Sequence, residues 1–148
     1  MNRPISTRAH ALIDYAWAST AGTLPGMMNG AAETSRLVRN AGAAAGFNST
    51  VTNYEGGVLR LMPMKGHLAF DFILGSALIL SPLFLPESER RFAAVPVALG
   101  LVTLVTSLLT QTRSTGGRFG EFTPSRELSE AVADPDIARS PHIRAHLE

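Results

Sequence analysis

The feature that most constrains the fold is an almost uninterrupted apolar segment, GHLAFDFILGSALILSPLFL, at residues 66–85. It contains 20 residues, and Asp71 is its only carboxylate. At about 1.5 Å per residue, a helix of that length crosses a hydrocarbon core of about 30 Å. A second apolar segment, at residues 92–109, has 18 residues and no charge. We therefore predict that both segments form transmembrane helices.

The first third of the chain is less apolar, but one stretch of it matches the middle of the chain. HALIDY contains His10 and Asp14, and HLAFDF contains His67 and Asp71 at the same spacing, each followed by an aromatic residue. Internal similarity at a fixed offset is the mark of a repeated structural unit. The two stretches therefore indicate a duplication within the chain.

A second match extends this duplication to a second helix in each half. STVTN at residues 49–53 aligns with SLLTQ at residues 107–111, at an offset one residue longer than that of the first match. Each half therefore contributes a helical hairpin. By correspondence with the two apolar segments, we predict that residues 9–28 and 37–54 also span the membrane.

The predicted fold is all-α, a four-transmembrane-helix bundle of two parallel helical-hairpin repeats with a polar C-terminal tail. The membrane domain comprises residues 1–112, with repeat 1 at about 5–55 and repeat 2 at about 62–112. Each repeat has an even number of spans, so both His-Asp pairs lie at the same depth. A small excess of Lys and Arg on the side of the termini predicts that both termini lie in the cytoplasm.

Two longer stretches carry a resemblance to a known family. ISTRAHALIDY and TNYEGGVLRLMPMKGHLAFD resemble the SPW-repeat family of small bacterial membrane proteins, which consist of duplicated two-helix units with a Ser-Pro-Trp after the first helix. Here LPG at residues 24–26 and SPL at residues 81–83 keep the proline but not the tryptophan. The resemblance covers roughly residues 5–112. It implies four helices in a bacterial membrane and implies no activity.

The paired His and Asp residues are the candidate site. His10 and Asp14 lie four residues apart, as do His67 and Asp71, so each pair shares one helix face. Ionisable groups inside a membrane normally face the bundle interior and find a partner. The favoured interpretation is a structural polar network in which each His bonds its own Asp and the pairs reach across to Arg, Tyr or backbone groups on neighbouring helices. The alternatives are one site for Zn²⁺, Mn²⁺ or Fe²⁺, axial haem ligation by the two His, and an ion or proton relay through the two Asp.

Two further features concern helix packing and the tail. Gly42 and Gly46 form a G-x-x-x-G pair, which predicts close approach of two helices. From residue 113 to 148 the chain becomes polar, with a Gly-rich linker and charges of both signs, and we interpret it as a loosely ordered extramembrane tail. The alternative is that the tail docks on a partner through four apolar side chains, namely Phe119, Phe122, Leu128 and Val132.

Composition restricts the function. The chain has no cysteine and no assembly of nucleophile and base, so we predict no enzyme and no cofactor. A net charge of +1 argues against nucleic acid as a partner. The predicted function is a non-catalytic accessory or scaffold subunit of a larger membrane complex, for example a respiratory or photosynthetic one. Its partners are membrane lipid and other membrane subunits or further copies of the chain. The alternative is a small transporter or a metal- or haem-binding protein that uses the four His and Asp residues.

Overall fold

The computed structural model describes residues 3–113. Within this range all regular secondary structure is helical, and there is no β-strand. The prediction of an all-α fold is confirmed for this part of the chain. Short 3₁₀ turns follow the first and third helices and precede the fourth. The predicted docking residues of the tail, Phe119, Phe122, Leu128 and Val132, lie outside the described range. The α-helices are α1 (Thr7–Thr23), α2 (Ala32–Val51), α3 (Met64–Leu80) and α4 (Ala94–Leu109).

The ends of the first and third helices follow from their sequences. Ser6 caps α1, because its hydroxyl accepts a hydrogen bond from the Ala9 N–H at 3.2 Å. Pro25 and Pro82 each stand at the start of the 3₁₀ turn that follows α1 and α3. Proline has no N–H for an internal α-helical hydrogen bond, so the regular helix ends where each proline enters.

Among residues 3–113, one helix passes the length and composition criteria for a membrane span. It is α3 together with the turn that follows it, Met64–Leu83, which is 20 residues long. The apolar helix α4 is shorter, at 16 residues. The structure therefore supports one spanning helix by these criteria. The other three predicted spans, and with them the four-span bundle, stay predictions.

The second helix begins earlier than the sequence pattern indicated. The predicted span is 37–54, whereas α2 starts at Ala32. Glu89, in the turn before α4, accepts hydrogen bonds from the backbone N–H groups of Glu33 (3.1 Å) and Thr34 (2.8 Å) and from the Thr34 hydroxyl (2.9 Å). These are the free donors of a helix N-terminus, so a carboxylate from another part of the chain stabilises the extra turn.

The helices pack mainly as two pairs, α1 with α2 and α3 with α4. A Cβ added at Gly42 would lie 2.9 Å from the Ala21 Cβ, so α1 and α2 approach closely there. At Gly46 the nearest atom would be 3.7 Å away, which is ordinary contact. The sequence did not single out Gly75 and Gly100, where α3 and α4 approach closely; a Cβ at Gly75 would lie 2.8 Å from the Gly100 carbonyl oxygen.

The two helix pairs are joined at one end by crossed backbone pairing. Ile5, just before α1, pairs in parallel with Thr110 at the end of α4. Met62, just before α3, pairs in the same way with Thr52 at the end of α2. Each helix pair therefore begins against the end of the other, and these crossings lie beside the first turns of α1 and α3.

The distribution of polar and apolar side chains is unusual for a protein in water. Large apolar side chains on every helix are exposed, with Leu12, Phe47, Ile73 and Leu108 at 70%, 68%, 67% and 53%. The interior is instead rich in buried polar groups, including both described histidines and several threonines. Extended exposed apolar surface marks contact with lipid or with another protein.

Candidate metal site between the first and third helices

The structure brings the four His and Asp residues of the sequence motif into one cluster. His10 and Asp14 come from α1, and His67 and Asp71 come from α3. One ligand-type atom from each residue lies within 4.8 Å of all the others. Both His side chains are fully buried and Asp71 is 4% exposed. This arrangement follows from helical spacing, because both residues of each pair face the neighbouring helix pair.

Every histidine in the cluster contacts both carboxylates. The two Nε2 atoms lie 3.0 Å apart. His10 Nε2 is 3.3 Å from Asp14 Oδ1 and 3.1 Å from Asp71 Oδ2. His67 Nε2 is 3.1 Å from Asp14 Oδ2 and 3.0 Å from Asp71 Oδ2. The expectation that each His bonds its own Asp was therefore too narrow, since the contacts between α1 and α3 are as short as those within each helix.

Two threonines contact the far side of the imidazole rings. Thr110 Oγ1 lies 2.8 Å from His10 Nδ1, and Thr52 Oγ1 lies 2.9 Å from His67 Nδ1. Each of these hydroxyls also lies 2.6 Å from the backbone carbonyl oxygen four residues earlier. A hydroxyl has one hydrogen, which these short contacts assign to the carbonyl. Each hydroxyl must then accept from Nδ1–H, so a neutral ring presents the lone pair of Nε2 to the cluster.

The carboxylates are held by donors from α2 and the segment after it. Ser49 Oγ and the Tyr54 hydroxyl donate to Asp14 Oδ2, at 3.0 and 3.1 Å. Asn48 Nδ2 lies 3.1 Å from Asp71 Oδ1 and 3.0 Å from His67 Nδ1. We assign its hydrogen bond to the carboxylate, because a bond to an ionised acceptor is the stronger one and because the Nδ1 proton is directed to threonine.

With these assignments the centre of the cluster contains only acceptors. Two imidazole lone pairs and the oxygens of two carboxylates converge within the distances given above. Among residues 3–113, no Lys or Arg forms an ion pair with Asp14 or Asp71. Buried charges of one sign require a compensating charge close by. The cluster therefore requires a cation at its centre, supplied either as protons on the histidines or as a metal ion.

The spacing of the acceptor atoms fits a tetrahedral metal ion. Metal–ligand bonds of about 2.0–2.1 Å place the corners of a tetrahedron about 3.3 Å apart. His10 Nε2, His67 Nε2 and Asp71 Oδ2 lie 3.0–3.1 Å from one another. Asp14 contacts the two nitrogens through different oxygens, at 3.3 and 3.1 Å, so its carboxylate would have to rotate to present one oxygen to a central ion. Two imidazoles and two carboxylates are ligands that Zn²⁺ accepts, and two carboxylate charges balance its own.

The haem alternative does not fit this geometry. A porphyrin would have to lie between the two axial nitrogens, and His10 Nε2 and His67 Nε2 are 3.0 Å apart. The imidazole rings meet edge to face, with centroids 5.1 Å apart. The cavity that borders Asp14 and Asp71 measures about 10 Å³, which is room for about one water. This arrangement therefore does not favour axial haem ligation by His10 and His67, and that alternative stays untested.

Several residues that complete the site were not identified from the sequence. They share one property, a position at or just beyond the end of α2 or α4, where polar side chains reach the cluster. One signal was present, because the match of STVTN with SLLTQ aligns Thr52 with Thr110. The residues that were missed are Asn48, Ser49, Thr52, Tyr54 and Thr110.

Comparisons with protein-family models, with curated proteins and with solved structures found no match for this chain. The resemblance to the SPW-repeat family therefore stays a prediction from the quoted motifs. The case for a function depends on the geometry of the cluster and on the surface that surrounds it.

Proposed function

We propose that the protein is an integral membrane protein in which one divalent metal ion, best matched by Zn²⁺, joins two helical hairpins through His10, Asp14, His67 and Asp71. The observation that carries this proposal is the convergence of ligand-type atoms from His10, His67, Asp71 and the partly buried Asp14 within 4.8 Å of one another, with no Lys or Arg of residues 3–113 paired to either carboxylate. A metal ion would neutralise both carboxylates and occupy both lone pairs at once.

The competing interpretation is the structural polar network, with protons in place of the metal. If both rings carried Nε2–H, two like charges would meet at the 3.0 Å contact between His10 and His67. If one ring did, a single cation would face two carboxylates. A central divalent ion avoids both conflicts, and this favours the metal. The ion or proton relay through Asp14 and Asp71 stays an untested alternative.

The proposed metal has a structural role. All four positions of a tetrahedral ion would be filled by protein side chains, and a catalytic ion keeps one position open. The site also lies between α1 and α3, whereas most helix contacts lie within each hairpin. The metal would therefore fasten the two hairpins together. This role agrees with the predicted non-catalytic accessory or scaffold subunit. The partner subunits of that prediction stay a proposal.

The membrane placement is part of the same proposal. We propose four spans in a bacterial inner membrane, arranged as two parallel hairpin repeats with both termini in the cytoplasm. The exposed apolar side chains on all four helices support it. The repeat is supported by contacts that occur twice at matching positions, namely the crossed pairings and the two Thr–His bonds.

The direct test is the metal content of the full-length protein, purified in mild detergent after growth with added zinc and without chelators. Elemental mass spectrometry should find about one zinc per chain, and His67→Ala should reduce it to background. His142→Ala, in the tail, is the matched control and should keep the metal. Absence of any stoichiometric divalent metal from the parent protein would contradict the proposed metal site.

A further inference from the structure

A cavity with a mixed basic and apolar lining lies on the same end of the molecule as the crossed pairings. It measures about 230 Å³ and opens between the start of α3 and the end of α4. Two cationic side chains, Arg3 and Lys65, stand at its edge, and its wall includes Leu68, Phe72 and Leu108. We call it the Arg3/Lys65 pocket. Its lining pairs two positive charges with an apolar surface, which suits an anionic amphiphile.

The position of Arg3 is fixed by hydrogen bonds at both ends of the residue. Its guanidinium donates to the Thr110 carbonyl oxygen at 2.9 Å, and its own carbonyl oxygen accepts from Gln111 Nε2 at 3.2 Å. Neither Arg3 nor Lys65 forms an ion pair with a carboxylate within residues 3–113. A guanidinium has five N–H donors, so several remain for an oxyanion. Within the part of the chain that the structure describes, the pocket thus presents two positive charges without a carboxylate partner.

The depth of these charges matches the boundary between lipid headgroups and hydrocarbon. Lys65 is the second residue of α3, and the apolar stretch of that helix follows directly after it. Phe72 and Leu108, which are 46% and 53% exposed, continue the pocket wall along the outer surface. Basic pockets between transmembrane helices on the cytoplasmic side bind the headgroups of anionic lipids.

We propose that the Arg3/Lys65 pocket binds the phosphodiester of an anionic phospholipid, with an acyl chain lying along Leu68, Phe72 and Leu108. The phosphate oxygens accept hydrogen bonds from the guanidinium and the ammonium group. This inference rests on the membrane placement proposed above and not on the metal. Free inorganic phosphate would use the cations alone and would leave the apolar wall unoccupied.

The test is lipid retention by the full-length protein, measured by native mass spectrometry after transfer from phosphatidylcholine to mixed phosphatidylcholine and phosphatidylglycerol micelles. The parent should retain one phosphatidylglycerol and no inorganic phosphate when phosphate is offered instead. Arg3→Gln/Lys65→Gln should lower the retained fraction at least tenfold. Lys65→Gln alone should lower it several-fold, and this variant leaves the hydrogen bonds of Arg3 in place.

The matched control is Arg8→Gln/Arg113→Gln, which removes two exposed charges outside the pocket and should keep the lipid. Equal retention by both double variants would overturn the proposal, as would retention of inorganic phosphate with the same dependence on Arg3 and Lys65.

Zinc content and carbonate-resistant membrane association are measured on the same samples. If both are normal while lipid retention is insensitive to the pocket variants, the lipid site fails and the proposed function stands. If the parent protein is extracted by carbonate, the membrane placement fails and the lipid proposal fails with it.

Discussion

Two buried sites of the molecule surround carboxylates with different groups, donors in one site and both donors and acceptors in the other. Glu89, 7% exposed, accepts hydrogen bonds from two backbone N–H groups and one hydroxyl at the start of α2. Asp14 and Asp71 also receive donors on one side, but on the other they face the Nε2 lone pairs of His10 and His67. The first site is completed by the protein itself. The second has only acceptors at its centre and needs a cation there, which is either protons on the histidines or a metal ion.

The same contrast extends to the electrostatics of Glu89. The backbone hydrogen bond from Thr34 holds the pKa of the Glu89 carboxyl below its usual value, and the N–H of Glu33 and the Thr34 hydroxyl act in the same direction. Glu89 therefore stays ionised over the ordinary pH range and keeps its bonds to α2 without any external ligand. The Glu89 carboxylate, which meets donors, stabilises one helix end, whereas the carboxylates of Asp14 and Asp71, which also meet acceptors, form the proposed metal site.

The largest expected effect comes from Asp71→Asn in the cluster. This change keeps the volume but removes one of the two charges that balance the metal. We expect loss of the bound zinc and a destabilisation of about 3–5 kcal/mol, the usual effect of removing one partner from a set of buried charges. Thermal unfolding in detergent and elemental analysis measure both quantities. Asp136→Asn, in the tail, is the control and should keep its zinc. A zinc content of Asp71→Asn equal to that of the parent would contradict the assignment of Asp71 as a ligand.

A smaller effect is expected from Thr52→Val, which keeps the shape but removes the oxygen that accepts from His67 Nδ1–H. Loss of such a supporting hydrogen bond typically lowers metal affinity about 10–100-fold. Competition with a zinc-selective chelator measures the shift. Thr50→Val is a close control, because the Thr50 hydroxyl also bonds a carbonyl four residues earlier but has no bond to the cluster. Equal affinities for the two variants would show that Thr52 does not position the imidazole.

Glu89→Gln tests the first of the two sites, the carboxylate at the start of α2. It removes the negative charge from the start of α2, so the melting temperature should fall by several degrees while the zinc content stays at the parental level. Glu87→Gln is the matched control, because Glu87 lies in the same turn and is almost fully exposed. A loss of zinc in Glu89→Gln would mean that the two sites are coupled.

The smallest effect is the pH dependence of the difference in melting temperature between the parent and Glu89→Gln. The pKa of Glu89 is lower in the folded than in the unfolded protein, so its stabilisation is complete above the unfolded value and is lost as the pH falls through the folded value. The gap in melting temperature between the parent and Glu89→Gln should therefore be constant near neutrality and should shrink in acid. A gap that widened as the pH fell would contradict the lowered pKa.

The sequence predicted the all-α fold and singled out the four residues that meet in the cluster, because two His-Asp pairs at matching positions share equivalent helix faces. It could not predict the 3.0 Å contact between His10 and His67, which depends on how closely α1 and α3 approach. It also gave no sign of Glu89, whose partners at the start of α2 are more than fifty residues away in the chain. Contacts of that range depend on tertiary packing rather than on local pattern.

The crossed pairing of Ile5 with Thr110 and of Thr52 with Met62 has a consequence for how the chain is assembled. Neither half forms these pairings on its own, since the residue before the first helix of each half pairs with a residue of the other half. Two halves made as separate polypeptides would each have to recruit the other to close these pairings. On the duplication proposed above, an ancestor consisting of one hairpin would have closed them by dimerising, and fusion of two copies turned that intermolecular exchange into a contact within one chain.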